Sequence, residues 1–223
     1  MNTLEVCCGS LTSALAAIEG GAQRIELCSA LSLDGLTPSI GLLCELRSLF
    51  PHLRIHVLIR PREGGFVYSE AEIRVMERDI HEAVAAGATA IVSGALNTEN
   101  TIDIATTARL VRAAEGLPFT FHRAFDSVAD PFAALDQLRS LGITRILTSG
   151  CAPTAEAGIP LLRKLTKQGV VILPGGGVNS ANATRILKET GATEIHGSCS
   201  MTLSNGLRQT SADEVRAILK AIS

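Results

Sequence analysis

Eight strand-like segments alternate with eight helix-like segments from one end of the chain to the other, and few architectures accept that pattern. Strand signals fall at roughly 4–8, 24–29, 54–60, 90–95, 118–124, 145–149, 170–174 and 194–199. Helix signals fall at about 11–20, 39–49, 69–86, 104–115, 130–141, 155–168, 180–190 and 211–222. Ser69 ahead of Glu70 and Glu72, Asp130 ahead of Pro131, and Ser211 opening a Ser-Ala-Asp-Glu capping-box pattern are start signals. Gly20-Gly21, Gly87, Gly142, Gly169 and Gly191 sit where helices should stop. No linker or shift of composition divides the 223 residues. The expectation is an α/β protein, a single (β/α)8 TIM barrel domain over residues 1–223. A doubly wound open sheet usually needs fewer strands and a phosphate loop after the first, which Cys8-Gly9-Ser10 does not resemble.

A barrel sets how each strand is oriented: its apolar face packs outward on the helices and its other face points in. On that rule Glu5, Cys7, Glu26, Cys28, His56, Arg60, His122, His196 and Ser198 face the interior or its rim, while strands four and six are ambiguous by parity. Barrel interiors are normally filled with branched aliphatic side chains. This one is far more polar, and the polar residues gather toward the C-terminal strand ends, where barrel enzymes place their sites.

The pair Leu4-Glu5-Val6-Cys7 and Ile25-Glu26-Leu27-Cys28 is the most specific local signal. Each segment sends a carboxylate and a thiol to one face, and carboxylates are rarely buried without a purpose. Cys7 and Cys28 fall on neighbouring strands, where two sulfurs facing each other suit a low-coordinate Cu(I) ion; zinc would need further ligands such as His56 or His122. Buried cysteine also serves simply as a small hydrophobe, and Cys8 and Cys44 are expected to pack in that way.

Three further constellations bear on chemistry. Arg60-Pro61-Arg62-Glu63-Gly64-Gly65 follows strand three and can aim two guanidiniums at an anion, or close on itself through an Arg62–Glu63 salt bridge. His122 with Asp126 beyond it can exchange protons, with Glu5 or Glu26 as partner, or be a core histidine satisfied by a carboxylate. Gly175, Gly176 and Gly177 after strand seven and Ser198 at the end of strand eight occupy the places where many barrels bind phosphate, although a glycine run also makes a plain tight turn. Thr148-Ser149-Gly150 can add donors. All four lysines lie in helix-like segments, so Schiff-base chemistry lacks its nucleophile.

With 46% hydrophobic and 19% charged residues, the chain can bury a full core. A net charge of -2, no Trp and a single Tyr argue against nucleic acid as a partner and give no pull toward an anionic membrane. No apolar run approaches the length that spans a bilayer, and Met1-Asn2-Thr3 leads straight into a strand rather than a signal peptide. The six cysteines form neither a disulfide framework nor close metal pairs, so reduced thiols in the cytoplasm are expected.

Several of these segments match one known family in order. Glu5-Val6-Cys7, Gly21-Ala22-Gln23-Arg24-Ile25-Glu26-Leu27-Cys28 and Gly35-Leu36-Thr37-Pro38-Ser39 come first. Ile59-Arg60-Pro61-Arg62, Thr120-Phe121-His122-Arg123-Ala124-Phe125-Asp126 and Leu147-Thr148-Ser149-Gly150 follow. Together they resemble the copper homeostasis protein CutC family over nearly the whole chain. The resemblance implies a cytoplasmic (β/α)8 barrel, a homo-oligomer such as a dimer or tetramer, and copper binding as Cu(I) at the thiols that correspond to Cys7 and Cys28. Two departures stand out. Leu33-Asp34-Gly35 lacks a second glycine common in the family, and the segment from Ser200 to Thr210 is short, leaving less chain for a lid. The alternative function is a barrel enzyme acting on a small phosphorylated or carboxylated metabolite, with Glu5, Glu26 and His122 moving protons and Arg60, Arg62, Gly175, Gly176, Gly177 and Ser198 holding the anion.

Overall fold

A computed structural model describes residues 2–204, 206 and 208–223. Eight strands form its centre: β1 (Thr3–Cys8), β2 (Arg24–Leu27), β3 (Arg54–Leu58), β4 (Ala90–Ser93), β5 (Phe119–Phe121), β6 (Arg145–Thr148), β7 (Val171–Pro174) and β8 (Glu194–Gly197). They run parallel in the order β7-β6-β5-β4-β3-β2-β1-β8, and a single bridge between Gly175 and His196 joins the two ends into a barrel. Around it lie α1 (Leu11–Glu19), α2 (Ile40–Leu49), α3 (Glu70–Ala85), α4 (Ile104–Ala113), α5 (Pro131–Ser140), α6 (Ile159–Leu165), α7 (Ala183–Thr190) and α8 (Ala212–Ile222). The TIM-barrel expectation holds.

The strands end two or more residues earlier than their sequence pattern in β2, β3, β4, β5 and β8, because the last residues of each run leave the ladder to build the mouth. Ser69 and Glu72 form a full capping box on α3, and Asp130 caps α5 ahead of Pro131. Ser211 caps α8, but its expected box is incomplete: the Glu214 carboxylate instead accepts from the Ser180 amide and hydroxyl. Helix α6 starts at Ile159 rather than near 155, behind Gly158 and with Pro160 in its first turn. The segment after β8 holds an unexpected antiparallel hairpin, β9 (Ser200–Thr202) with β10 (Arg208–Thr210), tied back through Thr210 Oγ1 to the Ser198 carbonyl.

Two kinds of core follow from the strand alternation. Leu4, Val6, Cys8, Ile25, Leu27, Ile55, Val57, Ile91, Ile146, Ile172 and Ile195 belong to the large cluster between wall and helices. Inside the wall, Cys7, Cys28, Leu58 and Val92 form a small separate cluster. That partition resolves the two ambiguous strands: Ile91 and Ile146 go out, so Ala90, Val92, Arg145 and Leu147 go in. Cys8 packs as expected, whereas Cys44 is exposed on α2.

Below the small cluster, the barrel is filled by charge. Glu5 is fully buried, and its Oε2 lies 2.8 Å from His56 Nδ1, 2.9 Å from Arg24 Nε and 3.1 Å from Arg145 Nη2. Its Oε1 lies 3.0 Å from His196 Nδ1. Glu194 completes the layer, with Oε2 at 2.5 Å from Arg24 Nη2 and 2.7 Å from Arg145 Nη2. His56 Nδ1 also sits 3.2 Å from Arg145 Nη1, but a nitrogen that donates its proton to Glu5 cannot accept another, so Nη1 bonds Thr120 Oγ1 at 3.0 Å. Burial alone would raise the Glu5 carboxyl; the hydrogen bonds from His196 and His56 and the charge of Arg145 outweigh it and hold Glu5 well below the usual carboxylate range.

Gly158 marks the tightest backbone approach outside the barrel. A Cβ there would stand 1.8 Å from the Ser149 carbonyl oxygen, so no side chain fits between α6 and the loop after β6. Gly158→Ala should cost about 1–3 kcal/mol or more, as overpacking against backbone does. Gly41, inside α2 with open space around its Cβ position, should tolerate Ala with a gain of about 0.4–1 kcal/mol. Urea midpoints of the two variants should therefore move in opposite directions.

Glu5→Gln leaves two guanidiniums facing a neutral amide in a buried layer, a change that costs about 3–5 kcal/mol. Because the folded-state pKa of Glu5 is lowered, its stabilising contribution is complete above the ordinary glutamate value of about 4.3. It disappears as pH falls through the lowered value. Urea unfolding between pH 7 and 3 should show the variant with lower stability at pH 7 and a smaller loss on acidification. Equal stability of variant and wild type at pH 7 would remove Glu5 from its role as the centre of this layer.

Candidate functional site

Cys7 and Cys28 meet because the parallel register sets Cys7 opposite Glu26, which leaves Cys28 one step farther toward the mouth. Their sulfurs lie 3.6 Å apart, both buried and both free of disulfide. The Cys7 thiol also donates to Glu26 Oε1 at 3.3 Å. His196, opposite Glu5 on β8, completes a group in which one ligand atom each from Cys7, Glu26 and His196 lie within 4.8 Å of one another. The hydrogen bond with Cys28 and then burial push the Cys7 thiol well up. Burial and then the Glu5 charge raise the Glu26 carboxyl against the pull of His196. For His196, burial lowers the pKa but the charges of Glu26 and Glu5 outweigh it, so the net shift is upward. The two carboxylates are thus driven apart, Glu5 ionised and Glu26 inclined to hold a proton.

Glycine is required above Cys28. Gly35 adopts φ +85°, and a Cβ there would meet Leu58 at 2.8 Å and Cys28 Cβ at 3.7 Å. Arg60 fastens this loop: its guanidinium donates to the carbonyls of Leu33 (2.9 Å), Gly35 (3.1 Å) and Gly64 (2.7 Å) and stacks over Phe66. Arg62 is likewise committed, to the Glu72 carboxylate and the carbonyls of Glu63, Gly65 and Val67. The two arginines therefore knit the loops after β2 and β3. The Arg62–Glu63 contact runs through the Glu63 backbone, not through its carboxylate.

His122 directly follows β5 and packs against Phe66 and Phe121. Its Nδ1 accepts from the Ala124 amide at 3.3 Å, which puts the ring proton on Nε2, a buried atom with no partner among the described residues. Burial, then the nearby Arg60 charge, lower its pKa to about 3, so the ring is neutral. The structure separates it from Asp126. That carboxylate is spent on the loop after β6, accepting from Thr148 Oγ1, the Ser149 amide and hydroxyl and the Cys151 amide, and pairing with Arg123 at 2.8 Å. Arg123 in turn reaches Ser149 Oγ at 3.2 Å and lies beside Gly176, whose Cβ position is 3.6 Å from its Cζ. Gly176 and Gly177 both take positive φ there. Ser198 bonds Ser200 in the hairpin at 2.9 Å.

Sequence reasoning had not singled out Arg24, Arg145, Glu194 and Arg123. Arg24 and Glu194 share the inward parity of Glu26 and His196, so the alternation did carry them. Arg145 begins Arg-Ile-Leu-Thr, which has no clear alternation, and nothing local marked it. Arg123 sits within a quoted motif, but its place beside Gly176 depends on the contact between separate loops.

A sequence profile of the CutC family matches residues 2–201. The copper homeostasis protein cutC homolog of Homo sapiens is 46% identical over 208 residues, which cover 92% of this chain and 76% of the human protein. A family protein CutC from Bacteroides fragilis is 45% identical over 206 residues, covering 91% and 82% of the two chains. The solved structure of CutC from Streptococcus agalactiae superposes with a TM-score of 0.84 at 36% identity, covering 89% of this chain and 99% of that one. With its barrel and its ordered motifs matched across most of its length, the chain belongs to the CutC family.

Proposed function

We propose that the protein handles copper in the cytoplasm, taking Cu(I) as a cargo ion at the thiols of Cys7 and Cys28. The observation that carries this is the meeting of two unbridged sulfurs 3.6 Å apart inside the barrel, in a chain whose human relative is a copper homeostasis protein homolog. Thiolate is a soft ligand that selects Cu(I). Metal–sulfur bonds of about 2.3 Å would separate two sulfurs on opposite sides of one ion by more than 3.6 Å. The pair thus favours an ion held from one side, with room for a third donor. Cys7 keeps its proton at neutral pH, so uptake displaces that proton and affinity rises with pH. Assembly into a homo-oligomer belongs to the same proposal.

A second function is favoured by Arg123. Its Nε is paired with Asp126 and its Nη2 with Ser149 Oγ, but Nη1 stands at the C-terminal rim beside the Gly176 backbone, a place suited to the phosphate or carboxylate of a small metabolite. In such an enzyme Glu26 and the neutral His122 would be the groups free to move protons, because Glu5 is held by four partners.

Anaerobic Cu(I) titration against a competing chelator separates the two. Tight binding should be lost in Cys7→Ser/Cys28→Ser and kept in Arg123→Ala. Inorganic phosphate binding, followed by calorimetry, should show the reverse pattern if the rim is an anion site. Copper binding unchanged in the double variant would sink the thiolate site.

A further inference from the structure

We infer that Cys7, Glu26 and His196 form a mixed sulfur–oxygen–nitrogen site for a borderline divalent ion, zinc being the probe of choice, with Glu5 as the residue that orients it. The site shares Cys7 with the proposed copper pair but does not use Cys28, so the two can be tested apart.

The geometry comes first. One ligand atom from each of the three residues lies within 4.8 Å of the others, and all three residues are buried on β1, β2 and β8. Glu26 points to what is missing. Its Oε1 accepts the Cys7 thiol at 3.3 Å, while its Oε2 is buried with no hydrogen-bond partner among the described residues. A buried acceptor left unsatisfied is unfavourable, and a cation between the three side chains would satisfy it.

His196 is prepared for coordination. Its Nδ1 is held by Glu5 at 3.0 Å, which places the ring proton there and leaves the lone pair on Nε2. Metal-binding histidines are typically fixed by a carboxylate in this way. Glu5 is itself held by Arg24, His56 and Arg145, so the orientation is set by four strands rather than by one contact.

Charge agrees. Glu5 and Glu194 are matched by Arg24 and Arg145, so the two arginines carry no spare charge. Neither is left to balance a Cys7 thiolate and a Glu26 carboxylate; a divalent cation would. The donor set also selects the ion. One thiolate, one imidazole and one carboxylate are each ordinary zinc ligands. The set is too hard for Cu(I) to prefer over two thiolates and too soft for magnesium or calcium.

The experiment is a Zn2+ titration of the full chain against a chromophoric chelator under reducing conditions, on wild type, Cys7→Ser, Glu26→Gln and Cys28→Ser. Gln is isosteric with Glu, and circular dichroism of each variant checks that it is folded. Zinc affinity should fall roughly 10–100-fold or more in Cys7→Ser and Glu26→Gln and stay close to wild type in Cys28→Ser. A wild type that binds Zn2+ no better than Cys7→Ser, or a folded Glu26→Gln that binds it as well as wild type, would overturn the inference. Cobalt(II) substitution gives an independent readout: a thiolate charge-transfer band is expected in wild type and Cys28→Ser, and its loss in Cys28→Ser would also overturn it. Cu(I) measured on the same variants keeps the outcomes separate. Loss of Cu(I) in Cys28→Ser but not in Glu26→Gln supports the copper pair without touching the zinc result.

Discussion

The carboxylate of Glu5 organises the inside of this barrel. A single buried negative charge draws side chains from β2, β3, β6 and β8 to one point. Most of the molecule's polar interior is a consequence of that choice. Arg24 and Arg145 neutralise Glu5 and need Glu194 as a second counter-charge; His56 and His196 satisfy its remaining lone pairs. A barrel filled with branched aliphatics would be simpler to stabilise, since buried ion pairs recover their desolvation cost only with near-ideal geometry. What the ionic layer supplies instead is direction: it holds His196 and, through the β1–β2 register, keeps Glu26 and Cys7 side by side.

Above the layer, the chemistry changes within one step along each strand. Glu5 is ionised and locked, while Glu26 is drawn toward its protonated form two residues before Cys28. The contrast has a plain cause. Burial pushes both carboxyls up; Glu5 collects donors from every side that outweigh it, whereas Glu26 is left with one thiol and faces the negative charge of Glu5. The thiols, Glu26 and the outer side of His196 are therefore arranged over a charged floor whose carboxylates are already matched by arginines.

Much of this was legible in the sequence, and the reason is periodicity. Alternation of period two in β1, β2, β3 and β8 settled which face Glu5, Cys7, Glu26, Cys28, His56 and His196 occupy, and the regular spacing of strand and helix signals settled the barrel. Where alternation fails, legibility fails too: Arg145 on β6 could not be placed. Loop chemistry was harder for a different reason. Arg60 and Arg62 read as anion ligands because arginines near a barrel mouth often are, but their terminal nitrogens are taken by carbonyls from Leu33 to Val67 that no local pattern announces. His122 and Asp126, four residues apart, were separated by the short helical turn between them, which turns the carboxylate to the neighbouring strand end. The β9–β10 hairpin escaped notice because its strands have three residues each.

The salt-bridged layer has one more consequence, for traffic. A barrel plugged across its lower half by Glu5, Arg24, Arg145 and Glu194 offers no route through its axis, so the buried thiols of Cys7 and Cys28 can be reached only from the strand C-terminal end. Whatever enters from the strand C-terminal end leaves by the same door. Arg60, with its grip on the Leu33–Gly35 loop over Cys28, stands on the threshold in both directions.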